Sequence, residues 1–334
     1  MRALVSGGNG FIGSHLVEAL KKKGYSVTCL VRKTSNLRWL DGLNIEFVYG
    51  DCTEKETLYN AVEGADYVYH LAGVVRAIDR ETYYRVNFLG TKNLLEVCDE
   101  INRNIKKFIY LSTQSAVGPE KGDKKGDRLL FSESKGEQDP QPITDYGKSK
   151  LKGEIVVHNY SDRLPVLIIR APVIYGPRDK DIYTYFKFLK RGIKPLPGKG
   201  EGHFNALYVG DLIEGIILAG ENDNSSGETY FIADERSYSW KEASDKAAEV
   251  LGVKAIRINV PRWLISTMAF FAELSSGITR KPALIDRQKA KEILHNGWFC
   301  DITKAREHLG FKPKFSFEEG LRITVGWYKA NGWL

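Results

Sequence analysis

The stretch Ser6-Gly7-Gly8-Asn9-Gly10-Phe11-Ile12-Gly13 joins a short apolar run, Arg2 to Ser6, to a segment of helical period, Phe11 to Lys23. A run of that length bounded by turn residues reads as a buried strand. The glycines at the junction meet three separate needs. Gly7 permits a tight turn, Gly10 lets the backbone approach a phosphate, and Gly13 lets the helix lie close on the strand. Phe11 and Ile12 open the helix, whose first N–H groups have no partner within it and face whatever anion occupies the turn. A glycine pattern becomes informative in this strand, turn and helix context.

Working outward, apolar runs keep alternating with helical segments. Ser26 to Val31, Ile45 to Tyr49, Tyr67 to Leu71, Lys107 to Leu111 and Val166 to Arg170 read as further strands. Glu54 to Val62, Tyr84 to Ile101 and Tyr146 to Tyr160 read as helices. This alternation predicts an α/β fold, a Rossmann-type doubly wound parallel sheet, with a smaller, mainly C-terminal substrate-binding region. Residues 1–170 are assigned to the dinucleotide-binding domain and 171–334 to the substrate region. Residues 207–235 are expected to return to the large sheet through a strand near Thr229 to Ala233. Pro172, Pro177, Pro195 and Pro197 break the pattern after Arg170. The polar, glycine-punctuated stretch 119–145 predicts an exposed loop, a lid or a disordered segment leading to Tyr146.

Composition narrows the function classes. The 334 residues are 43% hydrophobic and 27% charged, as in a globular protein able to bury a large core. The net charge of +7 is interspersed along the chain. That pattern favours an anionic cofactor or substrate over a nucleic-acid partner. Cys29, Cys52, Cys98 and Cys300 form no Cys-x-x-Cys pair and suit buried thiols in a reducing compartment. No apolar signal segment follows the first residues, so a cytoplasmic protein is expected. The most apolar later stretch, Trp263 to Leu274, is too short for a membrane span and predicts a buried helix or the wall of an apolar pocket.

The candidate chemistry lies in a few side chains. About 20 residues past the turn, where dinucleotide enzymes place an acid for the ribose, the second strand ends in Arg32-Lys33. A guanidinium there matches a 2′-phosphate, so NADP(H) is expected over NAD(H), with NAD remaining possible. Asp51 and Cys52 follow the third strand and are placed for the adenine edge, with an ordinary turn as the alternative for Asp51. Tyr146 and Lys150 stand one helical turn apart. The lysine ammonium, with a positively charged nicotinamide, would lower the phenol pKa and make Tyr146 a proton carrier. Thr113 supplies a hydroxyl to polarise the substrate oxygen, and Ser112 is the fallback for that role. His70 and His203 have no partners at metal-ligand spacing, so no metal is expected.

With these residues in view, the chain resembles the extended short-chain dehydrogenase/reductase family, in its epimerase/dehydratase-like branch. The likeness spans nearly all of the sequence. It is carried by the turn at 7–13, Gly50-Asp51, His70-Leu71-Ala72-Gly73, Asn87 with Gly90-Thr91-Lys92-Asn93-Leu94-Leu95, Ser112-Thr113, Tyr146 to Lys150, Arg170 to Pro177 and Tyr208-Val209-Gly210-Asp211-Leu212. The resemblance implies a catalytic triad of Thr113, Tyr146 and Lys150. It also implies a cofactor site drawing on Leu71, Ala72, Gly73, Asn87, Ser112, Pro172 and Val173, and a homodimer through the helices around 86–101 and 146–160. Nucleotide-sugar members of the family tend to carry an Arg-Asp pair where this chain has Phe204-Asn205. Loss of the cation points away from a diphosphate substrate. The expectation is an NADP(H)-dependent oxidoreductase interconverting a secondary alcohol and a ketone on a mainly apolar or polycyclic small molecule, in the manner of dihydroflavonol-reductase-like and hydroxysteroid-dehydrogenase-like members. A nucleotide-sugar epimerase or dehydratase with tightly held NAD(P) is the first alternative. A non-catalytic cofactor-binding redox sensor is the second.

Overall fold

The structure is a computed structural model and describes residues 1–119, 140–295 and 297–334. Most of the loop expected at 119–145, with its charged run Lys121 to Arg128, lies outside the described residues.

Strands β1 (Arg2–Ser6), β2 (Ser26–Val31), β3 (Glu46–Tyr49), β4 (Tyr67–His70), β5 (Lys107–Thr113) and β6 (Val166–Ala171) occupy the six apolar runs. Past them, β7 (Val173–Tyr175), β8 (Ile193–Pro197) and β9 (His203–Tyr208) leave for a separate region, and β10 (Thr229–Phe231) comes back. The large sheet is seven-stranded in the order β10-β6-β5-β4-β1-β2-β3. Every pairing in it is parallel.

The helices are α1 (Phe11–Lys22), α2 (Tyr59–Val62), α3 (Arg80–Tyr84), α4 (Gly90–Ile101), α5 (Asp145–Asn159), α6 (Lys180–Lys190) and α7 (Val209–Glu221). Neighbouring strand residues point to opposite faces, so each strand feeds two cores. Val5, Val27 and Ile169 pack with Leu16 and Leu20 of α1 and Leu212 and Ile216 of α7. Leu4, Val68 and Phe108 pack with Leu58, Leu94, Leu95 and Val157 on the other side. Burial on both faces is why the strands read as continuous apolar runs rather than alternating ones. Each such side chain contributes about 1.5–3 kcal/mol.

Two helices depart from the sequence reading. The segment expected from Tyr84 begins at Arg80, where Asp79 accepts a hydrogen bond from Thr82 N–H at 2.7 Å. It then passes through a π-helical turn, Arg85–Leu89, before α4. The segment expected over Glu54 to Val62 is a 3₁₀ turn at Lys55–Thr57 followed by the short α2.

The second region joins β7, β9, β11 (Ser237–Ser239) and β13 (Gly297–Trp298) in a four-stranded sheet, while β12 (Ile256–Val260) pairs with β8. Helices α8 (Trp240–Leu251), α9 (Arg262–Thr279), α10 (Arg287–Leu294), α11 (Thr303–Leu309) and α12 (Phe317–Ala330) complete it. Its core is aromatic: Phe186, Phe204, Tyr238, Trp298, Phe317 and Tyr328. One stretch, Cys300 to Phe311, packs Ile302, Ala305, Leu309 and Phe311 back into the large-sheet core, a return the sequence pattern did not announce.

The expectation for Trp263 to Leu274 is corrected. Within α9 only Ala269 and Ser276 are buried; Leu264 and Ile265 are half-buried, and Trp263, Met268, Phe270, Phe271 and Leu274 face outward. Among the described residues no helix is long and apolar enough to cross a membrane.

Strand order reverses between β1 and β4, which opens a crevice beyond the carboxyl ends of the strands. Gly7 sits at that crevice with φ +74°, and a Cβ there would lie 2.7 Å from the Ala72 nitrogen. The exits of β1 and β4 therefore touch, and only glycine fits between them. On the other side of the sheet, Gly153 lets α5 approach β5, since a Cβ would meet the Tyr110 hydroxyl at 2.2 Å. Helix α5 carries Tyr146 and Lys150, so this contact sets their depth.

Candidate active site

Helix α5 starts at Thr144, whose hydroxyl accepts from Gly147 N–H at 3.1 Å. Tyr146, Lys150 and Glu154 then fall on one face by their spacing of four. That face meets the carboxyl end of β5. The Thr113 hydroxyl lies close enough to the Tyr146 phenol to favour its ionised form. The Tyr146 ring packs against Tyr83 with centroids 6.4 Å apart. The Lys150 ammonium donates to the Leu111 carbonyl at 2.7 Å and lies 4.0 Å from the Tyr110 ring centre. Thr113, Tyr146 and Lys150, far apart in sequence, are brought together here.

Ser112 does not share this role. Its hydroxyl is committed to Glu154, one turn further along α5 than Lys150. Glu154 also accepts from Arg170, at 3.1 Å from Nε and 2.7 Å from the terminal nitrogen. This buried ion pair lies directly beneath Lys150. Breaking such a pair leaves an uncompensated charge and costs about 3–5 kcal/mol. The sequence reading missed Glu154, although its place four residues past Lys150 was a visible signal.

Burial pushes Lys150 down to about 7, against the opposing pull of the Glu154 carboxylate. The Tyr146 phenol is raised above its ordinary value. Burial is the main cause, the Glu292 carboxylate adds to it, and the Thr113 hydroxyl works against it. In the cofactor-free chain Lys150 is not among the groups that act on the phenol: its ammonium is engaged with Leu111, and the carboxylate that acts there is Glu292. Glu292 arrives on α10, which packs on the start of α5 through a hydrogen bond from Thr144 Oγ1 to Glu292 Oε1 at 3.2 Å and another from Gln288 Nε2 to Asp145 Oδ2 at 3.0 Å. Both α10 residues lie about 145 positions downstream, with no motif to mark them.

A chain of hydrogen bonds fixes the loop after β4. Ala72 N–H donates to Ser6 Oγ at 3.3 Å, and Ser6 Oγ lies 2.7 Å from His70 Nδ1. His70 Nε2 lies 3.0 Å from Thr91 Oγ1, which donates to the Asn87 carbonyl at 2.8 Å. Because Thr91 donates onward, His70 carries its proton on Nε2 and accepts from Ser6 on Nδ1. Burial holds its pKa down to about 3, so it is a neutral core histidine. Asn87 is fully buried. Its amide accepts from Val74 N–H at 2.8 Å and donates to Val74 O at 3.0 Å and Ser149 Oγ at 2.9 Å. Direct contact of this amide with a cofactor is thus replaced by a positioning role, tying the 71–74 loop to α5. Leu71 and Ala72 are half-buried and Gly73 is exposed beside it, while Pro172 is buried and Val173 half-buried.

The glycine turn fits a dinucleotide pyrophosphate. Helix α1 has no side-chain cap and no acidic residue in its first turn. A Cβ on Gly10 would meet only the Gly7 carbonyl, at 3.2 Å, so its outer side is open. On Gly13 it would collide with that carbonyl at 2.1 Å, which accounts for the close packing there. Phe11 and Ile12 are partly buried against the core. Arg32 and Lys33 are exposed at the end of β2 and make no ion pair among the described residues. Asp51 accepts from Thr53 N–H and Oγ1, both at 2.9 Å, so it forms the turn that was its alternative. The Cys52 thiol is buried and pushed up to about 12, while its carbonyl accepts from Asn93 at 2.9 Å.

In the second region, Phe204 is buried and packs at a tilt on Trp240 with centroids 4.5 Å apart. Asn205 donates to the Asp234 and Arg236 carbonyls at 2.8 and 3.1 Å and accepts from Cys300 N–H at 2.9 Å. It is a strut, not a phosphate clamp. Asp211 is likewise internal, accepting from Lys314 and Phe315 N–H at 2.9 and 3.2 Å. Among the described residues no three His, Cys, Asp or Glu side chains are grouped to hold a metal.

Lys150 offers a pH test in the cofactor-free protein. Its folded pKa lies below its unfolded one, so the cost of burying it is full below about pH 7 and is relieved as pH rises from there toward its ordinary range. Wild-type stability in urea should therefore rise across that window relative to Lys150→Met. Parallel pH profiles for the two proteins would refute the assignment.

Comparison with known proteins gives the family. The family described as NAD dependent epimerase/dehydratase matches residues 3–233. Ceramide reductase of Caulobacter vibrioides is 27% identical, covering 99% of this chain and 95% of its own. Sterol-4-alpha-carboxylate 3-dehydrogenase, decarboxylating, of Mus musculus is also 27% identical, over 97% of this chain and 90% of its own. Among solved structures, UDP-glucuronic acid 4-epimerase from Bacillus cereus, in complex with UDP-glucuronic acid and NAD, superposes with a TM-score of 0.77 at 26% identity, covering 99% and 100% of the two chains. With the family match spanning more than half of its length, this chain belongs to the NAD dependent epimerase/dehydratase family of extended short-chain dehydrogenase/reductase enzymes.

Proposed function

We propose that the chain is an NADP(H)-dependent oxidoreductase that interconverts a secondary alcohol and a ketone on a mainly apolar or polycyclic small molecule. The observation that carries the chemistry is the convergence of Thr113, Tyr146 and buried Lys150 at the carboxyl end of β5. The substrate class is supported by Phe204 and Asn205, which are committed to internal packing where a diphosphate-binding arginine would otherwise stand. Relatives named as a ceramide reductase and a sterol dehydrogenase point the same way.

In this assignment Gly7, Gly10, Phe11, Ile12 and Gly13 hold the pyrophosphate. Arg32 and Lys33 take the 2′-phosphate, Asp51 and Cys52 border the adenine, and Leu71, Ala72, Gly73, Pro172 and Val173 line the nicotinamide site. The bound cofactor supplies or accepts a hydride. Tyr146, a phenol and therefore protonated at neutral pH, donates its proton to the substrate oxygen in the reducing direction. Thr113 orients that oxygen, and Lys150 offers its donors to ribose hydroxyls. Asn87 and Ser112 hold these groups in place rather than touching the cofactor. The substrate region is assigned to 171–334, less the segments that return to the large sheet.

The four cysteines are free and buried, which supports a reducing, cytoplasmic setting. A homodimer through α4 and α5 is supported by Ile101 of α4 and Ile155 of α5, which leave apolar side chains exposed on these helices. Sedimentation velocity should show a dimer, and Ile155→Arg should convert it to monomer; a monomeric wild type would refute this.

A nucleotide-sugar epimerase is the second reading. It is favoured by the likeness to the sugar epimerase structure and to UDP-glucose 4-epimerase of Thermotoga maritima, with a TM-score of 0.80 at 25% identity. Net NADPH consumption separates the two, because an epimerase regenerates its cofactor.

Replacing Tyr146 by Phe should lower turnover by about a hundredfold or more while leaving cofactor affinity intact. Retained turnover would remove Tyr146 from its role. In fluorescence titrations the wild type should bind NADPH more tightly than NADH, and Arg32→Ser should erase that preference. A clear preference for NADH would overturn the 2′-phosphate assignment.

A further inference from the structure

Helix α9 is turned inside out. Its small residues, Ala269 and Ser276, face the protein. Trp263, Phe270, Phe271, Leu274 and Ile278 repeat at helical spacing along the opposite face, and Trp263, Phe271 and Ile278 are 68%, 62% and 87% exposed. Met268 beside them and Leu284 and Ile285 in the following turn are exposed as well. A contiguous apolar face of this kind marks an interaction surface.

The polar groups on this helix are already satisfied from within. Ser266, Thr267, Ser275 and Thr279 each donate to a backbone carbonyl three or four residues earlier, at 2.7–3.1 Å. The helix has one acidic residue, Glu273, and both its oxygens are held at 2.7 Å by Arg287. Such a surface enters an apolar medium with few unpaired groups to desolvate. The charge around it is one-sided. From Lys254 to Glu292 the chain carries eight Lys or Arg and three Asp or Glu. Arg262, Arg280 and Lys281 are exposed at the two ends of the helix.

We infer that α9 seats the protein on an anionic lipid bilayer, lying in the interface with its Trp263–Ile278 face among the acyl chains and its basic ends at the headgroups. At 18 residues the helix is about 27 Å long, suited to the plane of the interface. A bilayer accounts for both the apolar stripe and the positive rim, whereas a second copy of the chain would bring like charge against like. The seat is coupled to the candidate active site. Helix α9 is clamped to α10 by Glu273–Arg287, and α10 holds Thr144 and Asp145 at the start of the helix carrying Tyr146. The enzyme would thus take its substrate from the lipid phase, which rests on the apolar-substrate reading proposed above.

The test is co-sedimentation of the full chain with vesicles of equimolar phosphatidylcholine and phosphatidylglycerol, and with phosphatidylcholine alone. The wild type should pellet with the anionic vesicles and be released by salt. The combined variant Phe270→Ser, Phe271→Ser, Ile278→Ser should lose about a hundredfold in partitioning, while keeping its thermal midpoint and NADPH titration. Arg280→Glu with Lys281→Glu should lose the preference for anionic lipid. A wild type that stays in the supernatant, or a triple variant that pellets like the wild type, would overturn the inference. So would a triple variant that, without vesicles, changes the sedimenting species from dimer to monomer, because a second copy would then own the face. Vesicle binding is read without catalysis, so binding without turnover on any apolar ketone would sink the substrate reading alone.

Discussion

The Glu154 carboxylate, buried between the Arg170 guanidinium and the Ser112 hydroxyl, is the contact on which the site depends. It joins three elements, α5, β6 and β5, at one point. A charge in that position is tolerated only because it is paired and hydrogen-bonded. Its nearness also supports a protonated Lys150 where burial alone would discharge it further. The depth of α5 follows from Gly153 against Tyr110, so the helix that carries Tyr146 and Lys150 is set by one missing methyl group and one buried ion pair.

A second set of buried polar groups fixes the loops that face the crevice. Ser6, His70, Thr91 and Asn87 form a continuous hydrogen-bonded line from the exit of β1 to the π-helical turn, and Asn87 carries it on to Ser149 of α5. Each member is fully paired, the condition under which a buried polar network adds rigidity rather than cost. His70 and Asn87 look like chemistry in a sequence. Here they are framework, and they act on the site by holding the 71–74 loop at a fixed distance from Tyr146.

The second region works differently. Its aromatic core is braced by Asn205, which ties the 234–236 turn to Cys300. Helix α10 lies against the start of α5 and contributes Glu292, whose carboxylate raises the Tyr146 phenol further. Helix α9, clamped to it, carries the exposed apolar face. Surface and site are thus properties of one helical hairpin.

The sequence by itself determined the large sheet, its strands nearly to the residue, the glycine turn and the helix bearing Tyr146 and Lys150. All of these rest on local periodicity and on glycines required by close approach. It also marked Thr113, because a hydroxyl at the end of a strand is positioned by the strand itself. Tertiary structure alone decided that Asn87 is a strut, that Ser112 serves Glu154, and that Glu292 reaches Tyr146 from about 145 residues away. It also decided that the apolar stretch at 263–274 faces outward. The apolar period of a helix shows that it has a face, but only the packing of its small residues, Ala269 and Ser276, shows which face the protein keeps.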